Sequence, residues 1–200
     1  PDGKNLAYSY NNSVWFKDID SGQATQVTTS GWRPVWSPDG SKIAYAYWDT
    51  VNWKTRLSIY DVVNKTGGPL TNDVPGHESN PTLSANGNRI AFLSTKGGWN
   101  YNIWFKDLAA DSAIQVTNGI QVSNPKVSPD GFKIAYFGYS YSNYRWNLYI
   151  YDVNRGTTSL IVDSYPNTSY LDWSSNSSKI AFVSSRAGNN EIFAYDLAAE

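Results

Sequence analysis

The chain has 200 residues and a formal net charge of -1. No basic stripe is present to neutralise phosphates, so nucleic acid is not expected as a partner. The absence of Cys excludes disulfides and thiolate metal sites, and no apolar run approaches the ~20 residues of a helical membrane span.

Aromatic residues make up 16% of the chain, with 9 Trp and 15 Tyr, whereas charged residues also reach only 16%. That balance, with abundant Gly, Asn and Ser, favours strands and turns over helices. One turn recurs along the chain: Pro1-Asp2-Gly3, Pro38-Asp39-Gly40, Ala85-Asn86-Gly87, Pro129-Asp130-Gly131 and a degenerate Ser175-Asn176-Ser177. Pro presets φ, Asp or Asn caps its own backbone, and Gly takes the left-handed position.

Four strands are expected per repeat, lettered A to D. Strand A ends in Ser just before the turn, at Ser37, Ser84, Ser128 and Ser174. Strand B follows the turn and carries a small residue at one place: Ala7, Ala44, Ala91, Ala135 and Ala181. A fixed Ala lets neighbouring sheets approach while the flanking Ile and aromatic residues fill space. Strand C ends in Asp18, Asp61, Asp107, Asp152 and Asp196, each read as the cap of the next turn. Strand D is expected to end at Thr28, Thr71, Thr117 and near Val162. The repeats start near 1, 38, 85, 129 and 175. That spacing fits a four-stranded propeller blade, whose period is roughly 40–50 residues. The fold expected is an all-β propeller of four-stranded antiparallel blades. About five repeats are visible in a single domain spanning 1–200. The first and last blades are incomplete, as in an excerpt of a longer propeller. The chain opens in mid-motif, so any leader is expected upstream or already removed.

The combination of Ser37 to Tyr45, Ser128 to Tyr136 and Gln115 to Thr117 resembles the TolB-like propeller repeat. The fifth repeat departs from its turn motif, with Ser-Asn-Ser-Ser. WD-type repeats fit less well, since Trp48-Asp49 does not close a strand C. The resemblance implies a propeller with a central channel and, as in the family's periplasmic namesake, docking of other envelope proteins. Similar repeats form gating propellers fused to serine peptidases, microbial surface proteins and a metal-dependent pectin-fragment lyase. The resemblance therefore fixes the fold and leaves the role open.

In a propeller the B–C and D–A loops share one face. Here these loops are long and aromatic. The B–C loops hold Trp48 and Trp53, then Trp99 and Tyr101, then Tyr139, Tyr141, Tyr144 and Trp146; the D–A loops add Trp32, His77, Glu78 and Tyr165. Arg56, Arg145 and Arg186 flank them. Trp, Tyr and Arg dominate binding hot spots. The binding set is therefore Trp32, Trp48, Trp53, His77, Trp99, Tyr139, Tyr141 and Tyr144. Packing between blades is the competing role for these rings. It is expected most for Trp99, Tyr101 and Trp146, which lie just before strand C, whereas Trp48, Trp53, Tyr139 and Tyr141 are expected to be exposed.

Catalysis is poorly supported. His77 alone cannot build a multi-histidine metal site and reads as a solvated loop residue or a local hydrogen-bond donor. Gly138-Tyr139-Ser140-Tyr141-Ser142 is a broken G-x-S-x-G. Asp18-Ile19-Asp20-Ser21-Gly22 resembles a calcium loop but lacks the later Glu, and reads first as a C–D turn. Neither cofactor nor metal is expected. The sequence points to a non-catalytic module binding protein or peptide, in the periplasm or at the cell surface. Alternatives are a carbohydrate-binding propeller, the regulatory part of a hydrolase or lyase, and a structural subunit of a surface assembly.

Overall fold

The computed structural model describes residues 3–71, 76–96, 98–110, 112–142, 144–163, 166–185 and 188–198, with the backbone alone for 166–169. Five antiparallel sheets succeed one another along the chain, and no helix occurs among the described residues. The first sheet holds β1 (Asn5–Tyr10), β2 (Ser13–Asp18) and β3 (Ala24–Thr28). The second holds β4 (Trp32–Trp36), β5 (Lys42–Asp49), β6 (Lys54–Asp61) and β7 (Thr66–Pro69). The third runs through β8 (Glu78–Leu83), β9 (Arg89–Ser94), β10 (Asn102–Asp107) and β11 (Ile114–Gln115). The fourth contains β12 (Val122–Val127), β13 (Lys133–Ser140), β14 (Arg145–Asp152) and β15 (Thr157–Val162). The fifth has β16 (Pro166–Trp173), β17 (Lys179–Ser184) and β18 (Glu191–Asp196). Each sheet is a meander whose strands pair in chain order, the arrangement of a propeller blade.

Apolar clusters fill the four seams between successive sheets. Val14, Ile43 and Tyr45 join the first to the second, and Leu57, Ala44, Phe92 and Trp104 join the second to the third. Ala91, Ile103, Ile134 and Tyr136 close the next seam, and Ala135, Leu148, Ile180 and Phe182 the last. The Ile before the repeated Ala is fully buried at Ile43, Ile90, Ile134 and Ile180. Burying each such side chain contributes about 1.5–3 kcal/mol. Ala44, Ala91 and Ala135 are likewise fully buried, as close approach of neighbouring sheets requires. Ala181, in the last sheet, is exposed. Leu6 and Tyr10 on the first sheet, and Tyr170 and Ile192 on the fifth, are exposed on faces that no sheet of this chain covers.

The A–B turns explain the repeated Ser. Ser37 Oγ accepts the Lys42 N–H at 2.9 Å and donates to Asp39 Oδ1 at 2.6 Å. Ser128, bonded to Lys133 and Asp130, repeats the pattern, as do Ser84 with Arg89 and Asn86 and Ser174 with Lys179 and Asn176. Gly131 sits at φ 79°, and a Cβ there would lie 2.6 Å from Arg89 Cδ, so both conformation and space call for Gly. Adjacent turns are also joined: Asp39 N–H donates to Ala85 O, and Ala85 N–H to Pro129 O.

The five strand-C Asp residues cap the next turn. Asp18 accepts the Ser21 N–H, Asp61 that of Asn64, Asp107 that of Ala109, Asp152 those of Asn154 and Arg155, and Asp196 that of Ala198. Strand D differs from expectation in two blades. β7 ends at Pro69 and β11 at Gln115, two residues short of Thr71 and Thr117. Those two Thr hydroxyls serve as side-chain partners instead. Thr117 Oγ1 accepts the Ile103 N–H at 2.9 Å, and Thr71 Oγ1 donates to Glu78 at 2.5 Å.

The inner strands β4, β8 and β12 carry a bulge that the sequence reading passed over. Ladder register shifts between Trp32 and Val35, between Ser79 and Thr82, and between Ser123 and Lys126. Arg33, Asn80 and Asn124 take the left-handed conformation there, each followed by Pro. Pro inside a strand is tolerated at bulges because no ladder donor is lost.

Candidate functional site

The B–C hairpins are unequal. Strands β5, β6, β13 and β14 each have 8 residues, whereas the B and C strands of the other three blades have 6. At about 3.4 Å per residue, two extra pairs lengthen the ladders of these two hairpins by roughly 7 Å. The extra pairs are Trp48↔Thr55 and Asp49↔Lys54 in the second blade, and Tyr139↔Trp146 and Ser140↔Arg145 in the fourth. The third blade lies between them, and its ladder stops at Ser94 and resumes at Asn102.

The rings of these three loops divide into two groups. Trp48, Trp53, Trp99, Tyr101, Tyr141 and Tyr144 are exposed. Tyr139 and Trp146 are half-buried and packed together, with ring centroids 5.6 Å apart. This corrects three expectations, for Trp99, Tyr101 and Tyr139. Tyr101, expected to pack, is 41% exposed. Trp99 is 99% exposed and has no packing role, because it falls in a loop rather than in the ladder. Tyr139 is not free, because the lengthened hairpin sets it opposite Trp146 and beneath Tyr141, whose ring stands 5.2 Å away edge-on.

Trp53 and Tyr144 each close a four-residue hairpin loop, at φ 54° and 55°. Left-handed backbone suits Gly or Asn, and a bulky side chain there is an outlier costing about 1–3 kcal/mol. Both loops keep an exposed aromatic ring at this position.

His77 accepts the Thr55 N–H at Nδ1 (3.2 Å) and lies 6.3 Å from the Trp48 ring. It is therefore a fixed acceptor rather than a solvated donor. Beneath it, Glu78 is fully buried. Glu78 accepts the Leu57 N–H at 3.0 Å and the Thr71 hydroxyl, and lies 3.5 Å from the Arg56 guanidinium. Arg56 also donates to Thr71 O. Glu78 and Arg56 thus belong to the framework under the loops and not to the exposed face. Trp32 is a strand residue, half-buried against the second seam and lining a cavity of about 260 Å³ beside the inner-strand bulges. It stands apart from the B–C rings. Tyr165 and Arg186 lie outside the described residues.

The carboxylate acceptor on the face is used internally. Asp49 accepts the N–H groups of Val51 and Asn52 and the Asn52 side-chain amide. The Asn52 amide, then its backbone N–H, holds this carboxyl below the usual Asp range. Burial pushes the neighbouring Tyr47 phenol up. Among the described residues, no group of three or more His, Cys, Asp or Glu is placed to hold a metal ion.

No family model matches the chain. A TolB homolog of Chlorobium luteolum is 27% identical over 164 residues, which are 78% of this chain and 36% of that protein. The crystal structure of TolB from Acinetobacter baumannii superposes with a TM-score of 0.69 at 23% identity, over 98% of this chain and 51% of the other. The chain has the fold of a TolB-like β-propeller. It spans about a third to a half of the length of these relatives. An oligogalacturonate lyase in complex with manganese also superposes, with a TM-score of 0.74 at 16% identity, over 99% of this chain and 60% of that one. The TolB-like propeller architecture is thus shared by proteins of different names and activities.

Proposed function

We propose that the chain is a non-catalytic, protein-binding propeller module of the cell envelope whose partner docks on the B–C loop face. One observation carries the reading. Three of the 9 Trp are exposed, and all three, Trp48, Trp53 and Trp99, lie at the B–C connections of adjacent blades. Exposed apolar rings cost solvation, and clustered exposed rings mark interaction sites. Asn52 adjoins Trp53, and Gly98 and Asn100 flank Trp99. Rigid aromatic anchors among small adaptable polar residues are the composition of a protein-binding paratope. The TolB relatives and the Cys-free composition support the periplasm or cell surface as the setting.

A carbohydrate ligand is the weaker reading. Sugar recognition draws on planar polar side chains beside the rings, and the Asp49 carboxylate is engaged by three N–H groups of its own loop. The experiment is site-specific photocrosslinking from position 99 in the whole protein, with a glycan array as control. Covalent capture of a protein that is lost in Trp53→Ala, with a silent array, is expected. Equal capture by the parent and by Trp53→Ala would overturn the reading.

A further inference from the structure

We infer that His77 is an acid-released latch: its neutral ring holds the outer edge of the Trp48–Trp53 hairpin, and its protonated ring lets that edge go. The latch acts on the hairpin whatever docks there. Strand β7 ends at Pro69, opposite Ser58. Backbone N–H groups of an antiparallel strand point to the same side at alternate residues. Beyond Ser58, the outward N–H groups of β6 belong to Leu57 and Thr55, and two adjacent side chains from the start of the third sheet take them. Leu57 N–H donates to Glu78 Oε2 at 3.0 Å, and Thr55 N–H donates to His77 Nδ1 at 3.2 Å. The corresponding edges of the third and fourth blades use groups that do not titrate. Ile103 N–H donates to the Thr117 hydroxyl, and Leu148 pairs with Val162 of β15.

The imidazole reaches across from a fixed base. His77 N–H donates to Thr95 Oγ1 and Thr95 N–H donates to His77 O, each at 3.0 Å, so the His77 backbone is tied to the end of β9. Gly76 permits this approach, since a Cβ there would lie 2.6 Å from Lys96 N. The ring then bridges to the second blade, and it must be neutral to do so. A neutral imidazole keeps one bare nitrogen that accepts, whereas both nitrogens of the protonated ring donate. Protonation would set two donors against each other across the Thr55 contact. Imidazole is the side chain that changes charge between about pH 5 and 8, and the chain has 1 His.

Among the described residues, the other ionisable groups on the elements packed around the ring are Tyr47, Asp49, Lys54 and Arg56 on the hairpin, Lys96 after β9, and Glu78 beside it. The Asn52 amide and backbone N–H hold the Asp49 carboxyl below the usual Asp range, and burial pushes the Tyr47 phenol up. Glu78 faces Arg56 at 3.5 Å within the seam. The Trp48 ring lies 6.3 Å from His77 and is tilted by 34°. That is just beyond the ~6 Å reach of a cation–π contact, so Trp48 does not hold the protonated ring in place. Leu57 stays bonded to Glu78. Acid therefore frees the outer part of the hairpin, where Trp48 pairs with Thr55, and leaves the blade below it intact.

The test is amide hydrogen exchange on the whole protein, read as protection factors at pH 8 and pH 5 so that the intrinsic pH dependence of exchange cancels. Thr55 protection is expected to fall about fivefold or more at pH 5, the loss of one hydrogen bond, while Leu57 protection holds. His77→Asn supplies an amide oxygen that accepts and does not titrate, so its Thr55 protection should be equal at the two pH values. His77→Phe removes the acceptor and should leave Thr55 weakly protected at both. Constant Thr55 protection in the parent, or a fall of the same size in His77→Asn, would overturn the inference. An equal fall at Leu57 would also overturn it, because the whole seam and not the latch would then be opening.

Discussion

Glu78 and Arg56 face each other at 3.5 Å across the seam between the second and third sheets, with the Glu78 side chain fully buried and that of Arg56 only 10% exposed. Both groups are also hydrogen-bonded: Glu78 accepts the Leu57 N–H and the Thr71 hydroxyl, and Arg56 donates to Thr71 O. Removing one member leaves an uncompensated buried charge, which costs about 3–5 kcal/mol. Glu78→Ala and Arg56→Ala should each lower stability by that order in urea unfolding. The double variant should be less destabilised than the sum of the two. Additive losses would mean that the pair is not coupled. Because the pair lies beneath His77 and Trp48, its loss should also loosen the loop face.

Acid should weaken the fold through the turn caps. Asp18, Asp61 and Asp107 are held below the usual Asp range first by the backbone N–H groups of Ser21, Asn64 and Ala109; Asp196 is held there first by Lys179. A carboxyl whose folded pKa is depressed contributes stability above its unfolded value and loses it as pH falls through the folded value. The melting temperature should therefore be flat near neutrality and fall progressively below about pH 4, the ordinary Asp value. Thermal melts across pH 2.5–7 would check this. Asp107→Asn, which cannot titrate, should flatten part of the slope. A melting temperature that held constant down to pH 2.5 would refute the assignment of these caps.

The bulged inner strands make a third prediction. Arg33, Asn80 and Asn124 occupy one repeat position, all in the left-handed region. Asn tolerates that conformation better than a long side chain does. Arg33→Asn should therefore hold or raise stability, by up to about 1 kcal/mol. The bond that Arg33 makes to Ser9 comes from its backbone N–H, so the substitution preserves it. A clear destabilisation would show that the Arg33 side chain contributes packing or charge beside the inner-strand cavity.

The repeat, the turns and the blade order were legible because they are local. Pro-Asp-Gly specifies its own turn, the preceding Ser is bonded within five residues, and the Ile-Ala pair marks the packed strand. The bulges carried a signal that could have been read: Pro34, Pro81 and Pro125 each interrupt an inner strand. The burial of Glu78 was not legible. Its partner Arg56 lies 22 residues away in another sheet, and a Gly-His-Glu stretch reads locally as a polar loop. Ring exposure was only half legible, since it depends on hairpin height and not on residue type.

Trp99 and Trp146 make that distinction measurable. Both precede a strand C and look alike in the sequence. Trp146 is drawn into the ladder opposite Tyr139 by the two extra pairs of its hairpin, and packs on the seam cluster below. Trp99 falls in the seven-residue loop 95–101 and is left in solvent. Trp146→Ala should cost about 2 kcal/mol, below the range for full-core aromatics because its ring is half-buried. Trp99→Ala should change stability by no more than about 0.5 kcal/mol, as exposed substitutions do. The binding readout should reverse that order, with Trp99→Ala abolishing binding of the partner captured from position 99 and Trp146→Ala reducing it only through a looser hairpin. Equal stability losses for the two variants would mean that Trp99 is packed, and the exposed face would lose its central ring.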